Sequence, residues 1–175
     1  LPEARFTAVE VHPEVIALRD RFKIPMDGPR FKVVCADGAD YVRDPNDPVD
    51  VLLVDGFDLS GQPRQLCSTG FYDNCYAKLR TGGVMVVNLW SGDSTFALYG
   101  SRMLESFAGQ VVIVDTEKRG NRIAFAYKGE GFPPRSAKLN KRVRNLENLH
   151  SVSLRATAER MLQRIRKRAS HLGLV

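Results

Sequence analysis

Two aspartates stand three residues apart in Asp55-Gly56-Phe57-Asp58, directly after the apolar run Val51–Val54. Paired carboxylates attract a cation, and in a dry site either one can take a proton from an ammonium group. An amine with a pKa of about 10, like that of lysine, is protonated at neutral pH and cannot attack until that proton leaves. Glu10 ends an earlier β-prone run, FTAVEV, and a carboxylate at that position is suited to accept hydrogen bonds from both hydroxyls of a ribose. Asp37-Gly38 follows a second such run, FKVVCA; the acid can accept from an adenine amino group while the glycine lets backbone approach the ring. Asn88 and Trp90 close a fourth run, VMVVNLW. The plainer reading of each residue is a loop or capping role, since Asp and Asn favour turns. Four strand ends carrying a polar group in register weigh against that reading.

These placements require strands and helices in alternation. Strand FTAVEV is followed by a helix over PEVIALRDRF with proline in its first turn, then by strand FKVVCA and a short helix in ADYVRD. DVLLVD is nearly all apolar, as a parallel strand covered on both faces must be. A helix from Ser68 or Thr69 through Leu79 places Phe71, Cys75 and Leu79 on one face, and the glycines of TGGV mark a turn into a strand over 84–89. A helix over 94–107 and strands QVVIVD and RIAFAY complete the series, with a turn at TEKRGN between the last two. The expected class is α/β, a doubly wound and mostly parallel sheet with a C-terminal antiparallel strand pair, whose ligands sit beyond the strand C-termini.

At 175 residues the chain is long enough for one core, and no apolar run approaches the roughly 20 residues that cross a bilayer. With no secretory signal in view, a cytoplasmic address without membrane contact is the default expectation. Cys35, Cys67 and Cys75 form neither a disulfide framework nor a zinc motif, so buried or free thiols and no metal are expected. From Arg135 onward eleven Lys/Arg face only Glu147 and Glu159, so the tail carries +9 and residues 1–134 carry −3. The chain divides into a body, 1–134, and a basic helical extension, 135–175, with its boundary in GEGFPPRSAK (129–138). Ala158, Met161, Leu162, Ile165, Ala169 and Leu172 recur at helical spacing, with Ser151 or Ser153 as N-cap and Gly173 as stop. A solvated basic face on a docked helix is the plainer reading of the tail, and a nucleic acid or another anionic surface is the rival partner.

The segments VEVHPEVI, ADGADYV, DVLLVDGFD and LCSTGFYDNCYAKLRTGGVMVVNLW together resemble the spermidine synthase family of polyamine aminopropyltransferases, built on the Rossmann-like class I methyltransferase fold. The likeness covers about residues 5–128. It implies that Glu10, with Val11 beside it, binds the ribose, that Asp37 and Gly38 contact the adenine, and that Asp55 deprotonates the attacking amine at the cofactor side of the site. It implies that Asp58, Asn88 and Trp90 hold the polyamine. The implied donor is decarboxylated S-adenosylmethionine, the acceptor a small-molecule polyamine, and the nucleoside product methylthioadenosine, with no metal; related enzymes are commonly homo-oligomers.

The chain departs from the family pattern in several places. Leu59 stands where a proline usually follows the second acid, His12 replaces an acid, and Asn88 stands where glutamine is frequent. The family's glycine-rich loop and small β-domain are expected to precede Leu1, in a longer gene product; without the strand before that loop, the edges of its neighbours would be exposed. Two other readings follow from the same residues. One is a methyltransferase using intact S-adenosylmethionine, for which two acids beside an uncharged acceptor have little purpose. The other is a non-catalytic nucleoside or nucleic-acid binding module.

Overall fold

The computed structural model describes residues 3–59, 61–92, 94–116, 120–149 and 153–171, with side chains as far as 167. The body runs β1 (Phe6–Glu10), α1 (Pro13–Ala17), β2 (Phe31–Cys35), α2 (Gly38–Arg43), β3 (Val49–Val54), a 3-10 turn (Arg64–Leu66) and α3 (Thr69–Lys78). It continues through β4 (Leu79–Trp90), α4 (Phe96–Ser106), β5 (Val111–Asp115) and β6 (Asn121–Tyr127), and ends in α5 (Ser136–Glu147) and α6 (Arg155–His171).

Parallel pairing joins β1 to β2, with Glu10 opposite Cys35, and β3 to β4, with Val54 opposite Val87. β6 then runs antiparallel to both β4 and β5, giving the order β3-β4-β6-β5. The single sheet expected from the strand pattern is therefore in two pieces, because no ladder joins β1 to β3 among the described residues. Some of their apolar side chains are left in solvent, Phe6 at 55% exposure and Leu53 at 73%, while Leu52 and Val54 pack against the core.

Helices lie on both faces of the larger sheet, and the strands show it by alternation. Met85, Val87 and Leu89 of β4, Ala124 and Ala126 of β6 and Val111 of β5 face a core filled by Phe71, Tyr72 and Cys75 of α3 and Met103 of α4. Val112 and Val114, the alternate residues of β5, pack on the other side against Met161 of α6, with Ile123, Phe125 and Ile165 around them. Met161 and Ile165 of the expected apolar stripe thus dock on β5. Arg164 of α6 also donates to the Ile113 carbonyl at 3.1 Å. Of the residues expected on that helix, Ser151, Leu172, Gly173 and the side chain of Ala169 lie outside the described residues, and α6 begins two residues after Ser153.

Three local expectations need correction. The first helix spans only Pro13–Ala17, not the ten residues its pattern suggests. Beyond Leu18 the chain closes into turns held by Arg19, whose guanidinium donates to the Pro25 carbonyl and pairs with Asp27 at 3.0 Å. α5 begins at Ser136, inside the stretch read as a boundary; its outer side is so basic that it gives little apolar signal, although Val143 is buried.

The glycines of TGGV form no turn before the strand. β4 runs straight through them with an irregularity where Val49 pairs with Leu79 and Val51 with Val84. Gly82 takes φ +86° there, and its N–H donates to the Lys128 carbonyl at 2.7 Å. A Cβ on Gly83 would lie 2.8 Å from the Arg80 carbonyl oxygen and 3.1 Å from that of Asp50. Both are backbone atoms that cannot swing away. Gly83→Ala is therefore expected to cost roughly 1–3 kcal/mol of stability, read as a fall of several degrees in Tm by calorimetry.

Candidate active site

The C-terminal ends of β1, β2, β3 and β4 supply the polar residues that the sequence singles out. Glu10 ends β1, and its Oε1 accepts the backbone N–H of His12 at 2.8 Å. That bond turns the chain into α1 while the His12 side chain makes no capping bond. Val11 between them is half exposed. One residue past β2 the Ala36 N–H donates to the Glu10 carbonyl at 3.1 Å, which fixes the two strand ends side by side.

Asp37 is the N-cap of α2. Its Oδ1 accepts from Ala39 N–H at 2.7 Å, the ordinary work of an aspartate at a helix start. Its Oδ2 accepts from Gln65 Nε2 at 3.3 Å. Gln65 comes from the segment after Asp58, so this bond crosses from the larger sheet's loop to the smaller sheet. Leu66 makes the same crossing with apolar atoms: a Cβ on Gly38 would lie 3.4 Å from its Cδ2, and one on Gly56 only 2.6 Å from its Cδ1. The Asp37-Gly38 and Asp55-Gly56 pairs thus share one leucine, which the absence of a side chain at each glycine admits.

Asp55 follows the last residue of β3 and is exposed. Asn88 Nδ2 on β4 donates to its Oδ1 at 2.9 Å. Asn88 in turn accepts on Oδ1 from Asn121 Nδ2 at 3.1 Å. Asp58 and Gly61 exchange backbone bonds of 2.8 and 3.2 Å, so the second carboxylate rides on a closed turn. Trp90 is 48% exposed, with its ring folded toward Gly92, where a Cβ would meet ring carbons at 2.8 Å.

The geometry joins Asp55 to Asn88 and Asp37 to the segment after Asp58. No bond links Glu10 to either group among the described residues. Gln65 and Asn121 escaped the sequence reading because their partners are set by loop path and strand register. Gln62 escaped it too: it is buried, and neither atom of its amide has a hydrogen-bond partner among the described residues. Among the thiols, Cys67 and Cys75 are buried and Cys35 is exposed. Burial pushes the Cys75 thiol up to about 12, so it is inert packing. The described residues include no group of three or more His, Cys, Asp or Glu that could hold a metal, and no helix long and apolar enough to cross a membrane.

Asp55 is thus tied through one oxygen with a second acid three residues on, and Glu10 and Asp37 stand at the ends of the paired strands β1 and β2. A model of the spermine/spermidine synthase domain matches residues 5–111. The chain is 35% identical over 153 residues to the polyamine aminopropyltransferase of Neisseria meningitidis, across 87% of this chain and 58% of that protein. It therefore spans less than two thirds of that relative's length. A crystal structure of spermidine synthase in complex with the transition state analogue AdoDATO superposes with a TM-score of 0.61 at 27% identity, over 71% of this chain and 47% of that one. Human methyltransferase-like protein 13, solved with SAH, superposes with a TM-score of 0.65 at 20% identity, over 94% and 72%, a likeness of fold.

Proposed function

This chain belongs to the spermine/spermidine synthase family, and from that premise we propose that it carries the nucleoside and amine sites of a polyamine aminopropyltransferase. The donor is decarboxylated S-adenosylmethionine and the acceptor a small polyamine. The observation that carries this reading is the pair Asp55 and Asp58 at the end of β3, with Asp55 held by Asn88 at 2.9 Å. A methyltransferase acting on a neutral acceptor has no use for two carboxylates there.

The chemistry assigned to these residues is orientation and proton removal. Glu10 accepts the ribose hydroxyls, with Val11 beside them. Asp37 accepts the adenine amino group in place of Gln65, over Gly38. Asp58 and Trp90 hold the cationic acceptor, and Asn88 keeps Asp55 in place. The ammonium proton passes to Asp55, and the freed nitrogen lone pair attacks the aminopropyl carbon bonded to the sulfonium. The carbon–sulfur bond breaks, its electron pair stays on sulfur, and a neutral thioether leaves as methylthioadenosine. The −3 balance of the body favours a cationic acceptor over an anionic one.

The test is incubation of the full-length product of the gene encoding these residues with either decarboxylated or intact S-adenosylmethionine and a panel of amines, the nucleoside product being read by mass spectrometry. Methylthioadenosine with an amine lengthened by one aminopropyl group is the expected result. S-adenosylhomocysteine would replace this reading with methyl transfer, and no product with either donor would leave a binding module.

A further inference from the structure

Asn121 begins β6 opposite Trp90, and Asn88 lies opposite Ile123, so the two asparagines are diagonal neighbours on one face of an antiparallel pair. The bonds they make have a direction. At the Asp55 end the partner is a carboxylate, which only accepts, so Asn88 must present its Nδ2 there. That leaves Asn88 Oδ1 at the other end, where its partner must donate, and Asn121 Nδ2 does so at 3.1 Å. Turning the Asn88 amide over would set oxygen against carboxylate at one end and nitrogen against nitrogen at the other.

We infer that Asn121 is a positioning residue for Asp55, acting through Asn88 by anchoring the oxygen end of the amide whose Nδ2 faces the carboxylate. Both ends of Asn88 are then engaged within the protein, so its work is to hold Asp55 more than to bind the acceptor. One oxygen of Asp55 is occupied by this chain, and Oδ2 accepts no bond among the described residues, which leaves that oxygen to receive a proton. This inference rests on the aminopropyltransferase reading for its kinetic consequence, though not for its geometry.

Asn121→Asp separates the polarity of the chain from its bulk. The new carboxylate can only accept, so it sets oxygen against Asn88 Oδ1 and either releases that end of the amide or competes with Asp55 for Nδ2, and in both cases the hold on Asp55 loosens. The expected result is a fall in kcat of about tenfold or more, the loss of one hydrogen bond to a charged group, with the nucleoside Kd unchanged within about twofold. Asn88→Ala removes the relay, so adding Asn121→Asp to it should cost nothing further. An unchanged kcat in Asn121→Asp, or additive losses in the double variant, would overturn the inference. If the wild type shows no turnover, the functional reading fails on its own. The chain is then read by NMR from the Asn88 side-chain amide signals, identified by their disappearance in Asn88→Ala: a shift in Asn121→Asp supports it, and unmoved signals refute it.

Discussion

Asp55→Asn is expected to lower aminopropyl transfer by about 10³-fold, the usual scale for removing a positioned general base, and to leave nucleoside binding nearly intact. The substitution keeps the size of the side chain and keeps an oxygen that can accept the 2.9 Å bond from Asn88. It removes the negative charge that attracts the ammonium and the basic oxygen that takes its proton. Packing changes little, because Asp55 is exposed at the end of β3 and belongs to neither core. Tm should therefore move by less than about 2 °C, consistent with a surface substitution of about 0.5 kcal/mol. Turnover within threefold of wild type would take Asp55 out of the mechanism, and a large fall in Tm would turn the loss into one of folding.

The asymmetry between what the sequence discloses and what it withholds has a physical origin in this site. Asp55 is legible because β3 reads as the continuous apolar run VLLV, although Val51 and Leu53 are exposed, and the first polar residue after it sits at the strand's end. Glu10 and Asp37 are legible as the acids at the ends of the β-prone runs FTAVEV and FKVVCA. Asn121 is not, since its contact with Asn88 depends on β6 entering antiparallel beside β4 in one particular register, and a shift of one residue would send its side chain to the opposite face. Gln65 is hidden for a related reason: its bond to Asp37 depends on the path of the segment after Asp58. α5 is obscured by composition, because Lys138, Lys141, Arg142 and Arg144 over about two turns of surface resemble a linker until Leu139 and Val143 are seen packing inward. The glycines at 82 and 83 misled because the same residues serve turns and bulges equally well.

The nucleoside end of the site should respond in binding where the amine end responds in rate. Glu10→Gln is expected to weaken binding of the nucleoside product by roughly 30- to 150-fold in Kd, because a charged acceptor shared by two hydroxyls is worth about 2–3 kcal/mol. Glutamine still offers one oxygen, so the 2.8 Å bond from His12 N–H, and with it the entry into α1, can survive the change. That is why the amide is a sharper probe than Glu10→Ala, which would remove the bond as well and loosen the turn. Titration calorimetry with methylthioadenosine measures the effect, and at saturating donor the chemical step should slow by less than about threefold. The contrast between the two variants is what tests the division of labour between Glu10 and Asp55. If Glu10→Gln instead left Kd unchanged, the acid at the end of β1 would be a turn-former alone, and the ribose would have to be held from elsewhere in the protein.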